Sequence, residues 1–158
     1  MADIVSPAKR SKMMAGIGSK NTRPEIEIRK LLHRMGFRFR LHRKDLPGRP
    51  DIVLPRYRTV VFVNGCFWHG HVNCPLFRPS KSRKEFWDDK IHKNRTRDFK
   101  KSSALQSMDW RVVTVWECAT KGRSALTEPA LVIKLKNAIS GSDFESTIRG
   151  EESEQKYE

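Results

Sequence analysis

The sequence predicts an α/β fold in which a mixed sheet lies between helices. Three observations carry this. Segments with capping residues and helical apolar spacing stand toward both ends of the chain. Between them run short stretches with strand alternation, one of them almost wholly apolar. A long, strongly basic helical segment separates the last strand from the earlier ones, an order that layers helices against a sheet.

In Thr22-Arg23-Pro24-Glu25, Thr22 can cap a helix, Pro24 suits its first turn and Glu25 completes a capping box. Ile28, Leu31, Leu32 and Met35 follow at helical spacing, and Gly36 ends the helix. Phe37, Phe39 and Leu41 alternate with Arg38, Arg40 and His42, as in a strand with one face in water. A turn over residues 46–50 leads to short strands at 51–54 and 59–63, around a second turn near Pro55. The second strand is apolar enough to be central and covered on both faces. Residues 65–79 are irregular and rich in His, Cys and aromatics. Residues 85–107 read as a long helix with Phe86, Ile91 and Leu105 on one face. Residues 110–116 form another strand, and Thr127 caps a last helix carrying Leu131, Leu135 and Ile139.

The 158 residues suit one domain, residues 22–139, between two polar ends. Residues 1–21 form a basic arm with no core of its own. Residues 140–158 form an acidic tail with few apolar residues, read as disordered. The tail nets −4 against +14 for the whole chain, which leaves +18 on residues 1–139. A compact body with that charge attracts polyanions and gains free energy by releasing their counterions, so nucleic acid is the leading partner. There is no apolar run long enough for a membrane span and no apolar signal core, so the cytoplasm is the expected compartment. Disulfides are rare there, and the three cysteines are better explained by metal or chemistry.

Cys66, His71 and Cys74 lie within nine residues, and the remaining cysteine, Cys118, follows the strand at 110–116. Together they make a Cys3His set, whose thiolates and imidazole suit zinc better than magnesium or calcium. Such an ion would tie an irregular loop to the end of a distant strand and add to the folding free energy. His69 is a rival to His71 in this set, and buried apolar thiols are the competing explanation for the cysteines.

Asp51 opens a strand just after a turn, where a carboxylate at a sheet rim can hold a hydrated divalent cation. Glu25, His69 and Asp98 are the other candidates. His69 would be a base near neutral pH. Each has an ordinary alternative: Asp51 as a turn carboxylate, Glu25 as a cap, Asp98 as an ion pair one helical turn from a lysine or arginine. Phe67 and Trp68 lie inside the metal loop and Trp87 beside the basic helix. Rings on a rigid loop can wedge between base pairs, most cheaply at a weakened pair. Trp110 and Trp116 are assigned to the core.

Leu46-Pro47-Gly48-Arg49-Pro50-Asp51, Gly65-Cys66-Phe67-Trp68-His69, Phe86-Trp87 and Val115-Trp116-Glu117-Cys118 occur in one order across the chain. With Arg10-Ser11-Lys12-Met13-Met14 they resemble the very-short-patch repair endonucleases, from about residue 8 to about 135. The resemblance implies a restriction-endonuclease-like fold. It also implies a nick in one strand of double-stranded DNA, 5′ to the T of a T:G mismatch left by deamination of 5-methylcytosine. It makes Asp51 a magnesium ligand with the Val63 carbonyl, and gives His69 the attacking water. Glu25 and Asp98 would support that metal or that histidine. Cys66, His71, Cys74 and Cys118 would bind structural zinc. Phe67, Trp68 and Trp87 would enter the DNA, with Arg10, Lys12 and Met14 in a DNA-contacting arm. The acidic-x-Lys element common to restriction-type nucleases is missing, as it is in this family.

Two departures stand out. Asn64 occupies a position where some relatives have histidine, and the stretch from His71 to Cys74 is one residue longer than the familiar form. A nick needs one active site, so a monomer is expected, associated with the nucleoid, with room for mismatch-repair partner proteins. A restriction or homing-type endonuclease of other specificity and a non-catalytic, zinc-stabilised DNA-binding module are the rival functions.

Overall fold

The computed structural model describes residues 21–151. Helix α1 spans Arg23–Arg34, with the Thr22 hydroxyl accepting the Glu25 N–H at 3.4 Å. It closes on Gly36 at φ +87, where the N–H groups of Gly36 and Phe37 reach the carbonyls of His33 and Leu32. Only a residue free of a side chain takes that left-handed turn without strain, and the paired bonds satisfy carbonyls the helix leaves open. The Glu25 carboxylate does not return to Thr22 as a capping box would. It accepts instead from the Asn21 N–H at 2.9 Å.

Five strands follow in space in their chain order: β1 (Arg40–Leu41), β2 (Ile52–Leu54), β3 (Thr59–Asn64), β4 (Arg111–Trp116) and β5 (Glu145–Ile148). The first two pairings are antiparallel and the last two parallel, so the sheet is mixed. A short 3-10 turn, Pro55–Tyr57, joins β2 to β3. Helix α2 (Lys84–Ser107) lies on the crossover from β3 to β4, and α3 (Glu128–Ser140) on the crossover from β4 to β5. Parallel neighbours need such crossovers.

Apolar residues cover both faces. Ile28 and Leu32 of α1 and Leu135 and Ile139 of α3 pack with Ile52, Leu54, Val61, Val113 and Val115 on one face. Leu105 of α2 packs with Val53, Val60 and Val112 on the other, beside Leu46 and Trp110. The alternation Val60/Val61 and Val112/Val113 assigns successive side chains to opposite layers, as the apolar character of β3 requires. No helix among the described residues is long and apolar enough to cross a membrane.

Three further expectations change. The strand read from Phe37 shrinks to two paired residues. Phe37 and Phe39 keep their inward side, but Leu41 is exposed and His42, at φ +47, breaks the alternation. The tail is not structureless from residue 140: β5 pairs with β4, and Ile148 sits buried opposite Val115. Backbone hydrogen bonds hold an edge strand without an apolar pattern, so one isoleucine was the only side-chain signal. Trp116 does not join the sheet layers but stacks on His71, while Trp110 is in the core as expected. The arm at residues 1–20, with Arg10, Lys12 and Met14, and residues 152–158 lie outside the described residues.

Candidate active site and metal centre

Two polar clusters stand at the end of the sheet where β2 begins and β3 ends. The first is built on Asp51. The β2 ladder with β3 reaches from Leu54 to Ile52, so the Val63 N–H has no β2 partner and donates to Asp51 Oδ2 at 2.8 Å. A strand residue directs its N–H and C=O to the same edge, so the Val63 carbonyl faces this cluster too. Burial pushes the Asp51 carboxyl up to about 6, against the Val63 hydrogen bond, and the neighbouring Glu25 charge adds to the rise.

Glu25 is 1% exposed. Its Oε1 accepts from Arg29 and lies 2.5 Å from His42 Nε2. One ligand atom from each of Glu25, His42 and Asp51 lies within 4.8 Å of the others, a set able to hold a cation. His42 was read as a solvent-facing strand residue, and it is the member of this set that sequence reasoning missed. The available signal was hairpin register. Leu41 pairs with Ile52, and one step further the His42 N–H reaches the Asp51 carbonyl at 3.3 Å.

His69 and Asp98 form a pair. His69 Nδ1 lies 2.5 Å from Asp98 Oδ2. An ionised carboxylate can only accept, so Nδ1 carries the proton and Nε2 of the neutral ring keeps its lone pair. Asp98 also meets Lys101 Nζ at 3.9 Å. The Lys101 charge in turn lowers the Asp51 pKa, against the larger effect of burial. Lys101, which carries no motif, thus stands near both Asp98 and Asp51.

The second cluster is Cys66, His71, Cys74 and Cys118, whose ligand atoms all lie within 4.8 Å of one another. The edge of a zinc tetrahedron with 2.3 Å sulfur bonds is about 3.8 Å, so the set fits that ion with small adjustments. His71 Nδ1 is 3.5 Å from both Cys66 Sγ and Cys118 Sγ. Its ring stacks on Trp116 at 3.9 Å between centroids. Burial, then the Arg149 and Arg95 charges, holds the His71 pKa down to about 4, which leaves a neutral imidazole ready to bind a metal. The closeness of the Cys66 and Cys118 sulfurs favours the Cys118 thiolate and pushes the Cys66 thiol up. Of the rival imidazoles, His71 belongs to this set and His69 does not. Between His71 and Cys74 the backbone turns at Asn73, φ +53, and Val72 is exposed.

The loop bearing these ligands is held from two sides. On α2, Asn94 donates to the Trp68 carbonyl at 2.9 Å and Arg95 donates to the Gly70 carbonyl. Gly70 has φ +60, and a Cβ there would lie 2.5 Å from Ile91 Cγ2. From the C-terminal side, the Gly150 N–H donates to Cys118 Sγ at 3.3 Å and Arg149 donates to the Asn73 carbonyl at 2.8 Å. Beside the loop, Phe67, Trp68 and Trp87 form a triangle with centroid separations of 5.6, 5.4 and 5.5 Å. All three are half-buried and belong to neither apolar layer of the sheet. Lys90 Nζ stands 5.5 Å from the Trp68 ring, at the head of an exposed basic row that runs through Lys93, Arg97 and Lys100.

Residues 2–75 match the family model for the DNA mismatch endonuclease Vsr. The chain is 53% identical over 126 residues to the type II nicking enzyme V.XorIIP of Xanthomonas oryzae pv. oryzae, an alignment covering 80% of this chain and 92% of that one. It is 45% identical over 148 residues to the DNA mismatch endonuclease Vsr of Escherichia coli K12, covering 94% of each chain. It is 44% identical over 141 residues to the type II nicking enzyme V.NmeAIP of Neisseria meningitidis serogroup A, covering 88% and 100%.

Proposed function

The chain belongs to the Vsr family of DNA mismatch endonucleases, and from that premise we propose that it nicks one strand of duplex DNA 5′ to the T of a T:G mismatch, with magnesium as cofactor, and so begins very-short-patch repair. One observation supports this most directly: a buried carboxylate at Asp51 lies beside the free strand end at Val63, while Asp98 orients the His69 imidazole.

The residues divide the work. Asp51 and the Val63 carbonyl would hold the cation, a small protein ligand set of the kind that leaves magnesium mostly hydrated. When bound, that ion supplies a Lewis acid for the phosphate and neutralises charge growing on the leaving 3′ oxygen. His69 Nε2 takes the proton of the attacking water as its oxygen bonds to phosphorus and the bond to the 3′ oxygen breaks. Asp98 keeps the imidazole in the tautomer that can do so and stabilises the imidazolium that forms. Glu25 supplies negative charge behind the cation, balanced by Arg29.

Substrate choice would rest on the aromatic triangle. A mismatched pair costs less to unstack, so a wedge of Phe67, Trp68 and Trp87 discriminates by the energy of opening the stack. Zinc on Cys66, His71, Cys74 and Cys118 keeps that wedge in place and has no part in the hydrolysis. The basic row on α2 supplies affinity for phosphates independent of sequence. Such work places the protein at the nucleoid, as a monomer.

A nicking assay on T:G, U:G and fully paired duplexes, with and without magnesium, tests this. The expected result is a single magnesium-dependent nick in the T-bearing strand of the mismatched duplex. Equal cutting of the paired duplex would instead support an endonuclease of other specificity.

A further inference from the structure

His42 takes no part in the proposed hydrolysis, yet the fold goes to some cost to bring it to Glu25 and Asp51. Its backbone sits at φ +47, a region unfavourable for a side chain with a Cβ, and strain of this kind persists only where the surroundings enforce it. Without that turn, strand alternation would send the imidazole to water. With it, the ring is half-buried and Nε2 lies 2.5 Å from Glu25 Oε1.

The Arg29 guanidinium also meets Nε2 at 3.3 Å, and this contact and the one to Glu25 both open if the ring turns to a cation. Glu25 keeps its ion pair with Arg29 and its hydrogen bond from the Asn21 N–H if His42 moves away. Among the described residues Asp51 Oδ2 has the Val63 N–H, and no donor meets Oδ1.

We propose that His42 Nε2 is a ligand of the cation held at Asp51, which makes a mixed nitrogen and oxygen site that binds manganese(II) more tightly than magnesium. This rests on Asp51 being the cation's carboxylate. Magnesium prefers oxygen and water, whereas an imidazole adds affinity for first-row transition ions. A cation with bonds of about 2.1 Å needs its ligand atoms about 3 Å apart, so His42, with a ring nitrogen within 4.8 Å of an Asp51 carboxylate oxygen, leaves Glu25 and closes on the ion as it enters. Nε2 binds a metal only without its proton, so any proton carried there passes to solvent as the ion enters.

Manganese alone, added to the zinc-loaded protein, reports the ligand directly. Echo-modulated electron paramagnetic resonance of bound manganese should show coupling to a 14N nucleus. His42→Gln should abolish that coupling and weaken manganese binding about tenfold, with a smaller loss for magnesium. His69→Gln should keep the coupling. Zinc content and circular dichroism of each variant identify loss of fold. Saturable manganese without nitrogen coupling, or coupling that survives His42→Gln, overturns the role of His42 and leaves Asp51 standing. Absence of any binding site sensitive to Asp51→Asn overturns both.

Discussion

The Val63 N–H donates to Asp51 Oδ2 at 2.8 Å, across the edge where β2 has ended and β3 has not. This bond steadies a carboxylate that burial otherwise disfavours, with its pKa still raised from 3.8 to about 6. Cation binding needs the ionised form, so nicking should fall as pH drops through about 6, and added cation should move the fall to lower pH. Rate profiles at two magnesium concentrations check this. A profile unmoved by the cation would separate the fall from Asp51.

The same shift predicts a conflict between stability and activity. A raised acidic pKa contributes stability that is fully present below 3.8 and lost as pH rises through about 6. At neutral pH the ionised Asp51 therefore weakens the metal-free fold. Asp51→Asn should raise the melting temperature at pH 7.5 by a few degrees, for about 1 kcal/mol, while nicking drops at least about a hundredfold. Thermal scans at pH 4 and 7.5 should show the gain only at the higher pH.

Asp98→Asn leaves the shape of the His69 partner but removes the charge that selects the Nδ1–H tautomer. Single-turnover nicking should fall about a hundredfold, in the range of general-base catalysis. Binding to mismatched duplex should be unchanged. Weakened binding in parallel with rate would mean that Asp98 serves the DNA surface.

The set of Cys66, His71, Cys74 and Cys118 should take up one zinc ion per chain and resist exchange. Cys118→Ser removes a ligand that also accepts the Gly150 N–H, and should lose metal and unfold at much lower temperature. Gly150→Ala is the subtler test. Its Cβ would lie 2.5 Å from the carbonyl oxygens of Cys118 and Ser124, backbone atoms that cannot step aside cheaply. A loss of about 1–3 kcal/mol is expected, with faster zinc release to a chelator. An unchanged melting temperature would show that the C-terminal segment does not clamp this centre.

Trp68→Ala should lower the preference for mismatched over paired duplex about tenfold, since unstacking is worth a few kcal/mol per step. Fluorescence of 2-aminopurine beside the mismatch should report less opening of the stack. Cation affinity should stay the same, because an indole N–H only donates and cannot hold a cation.

Much of this protein was legible in the chain itself. Helix starts at Thr22 and Thr127, the buried strand around Val60 and Val61, and the Cys66, His71, Cys74 and Cys118 set depend on residue types whose physics is local or whose chemistry is rare. A cap acts within a turn, alternation within a strand, and clustered thiols with an imidazole suit few ions. Folding alone decided three things: that His42 leaves the wet face for Glu25, that Asp98 of the long helix reaches His69 in the loop, and that residues 145–148 close the sheet beside the thiols. Each depends on distances across strand edges and between layers. Backbone hydrogen bonding and packing set those distances, and a single tertiary contact leaves no periodic mark in the sequence.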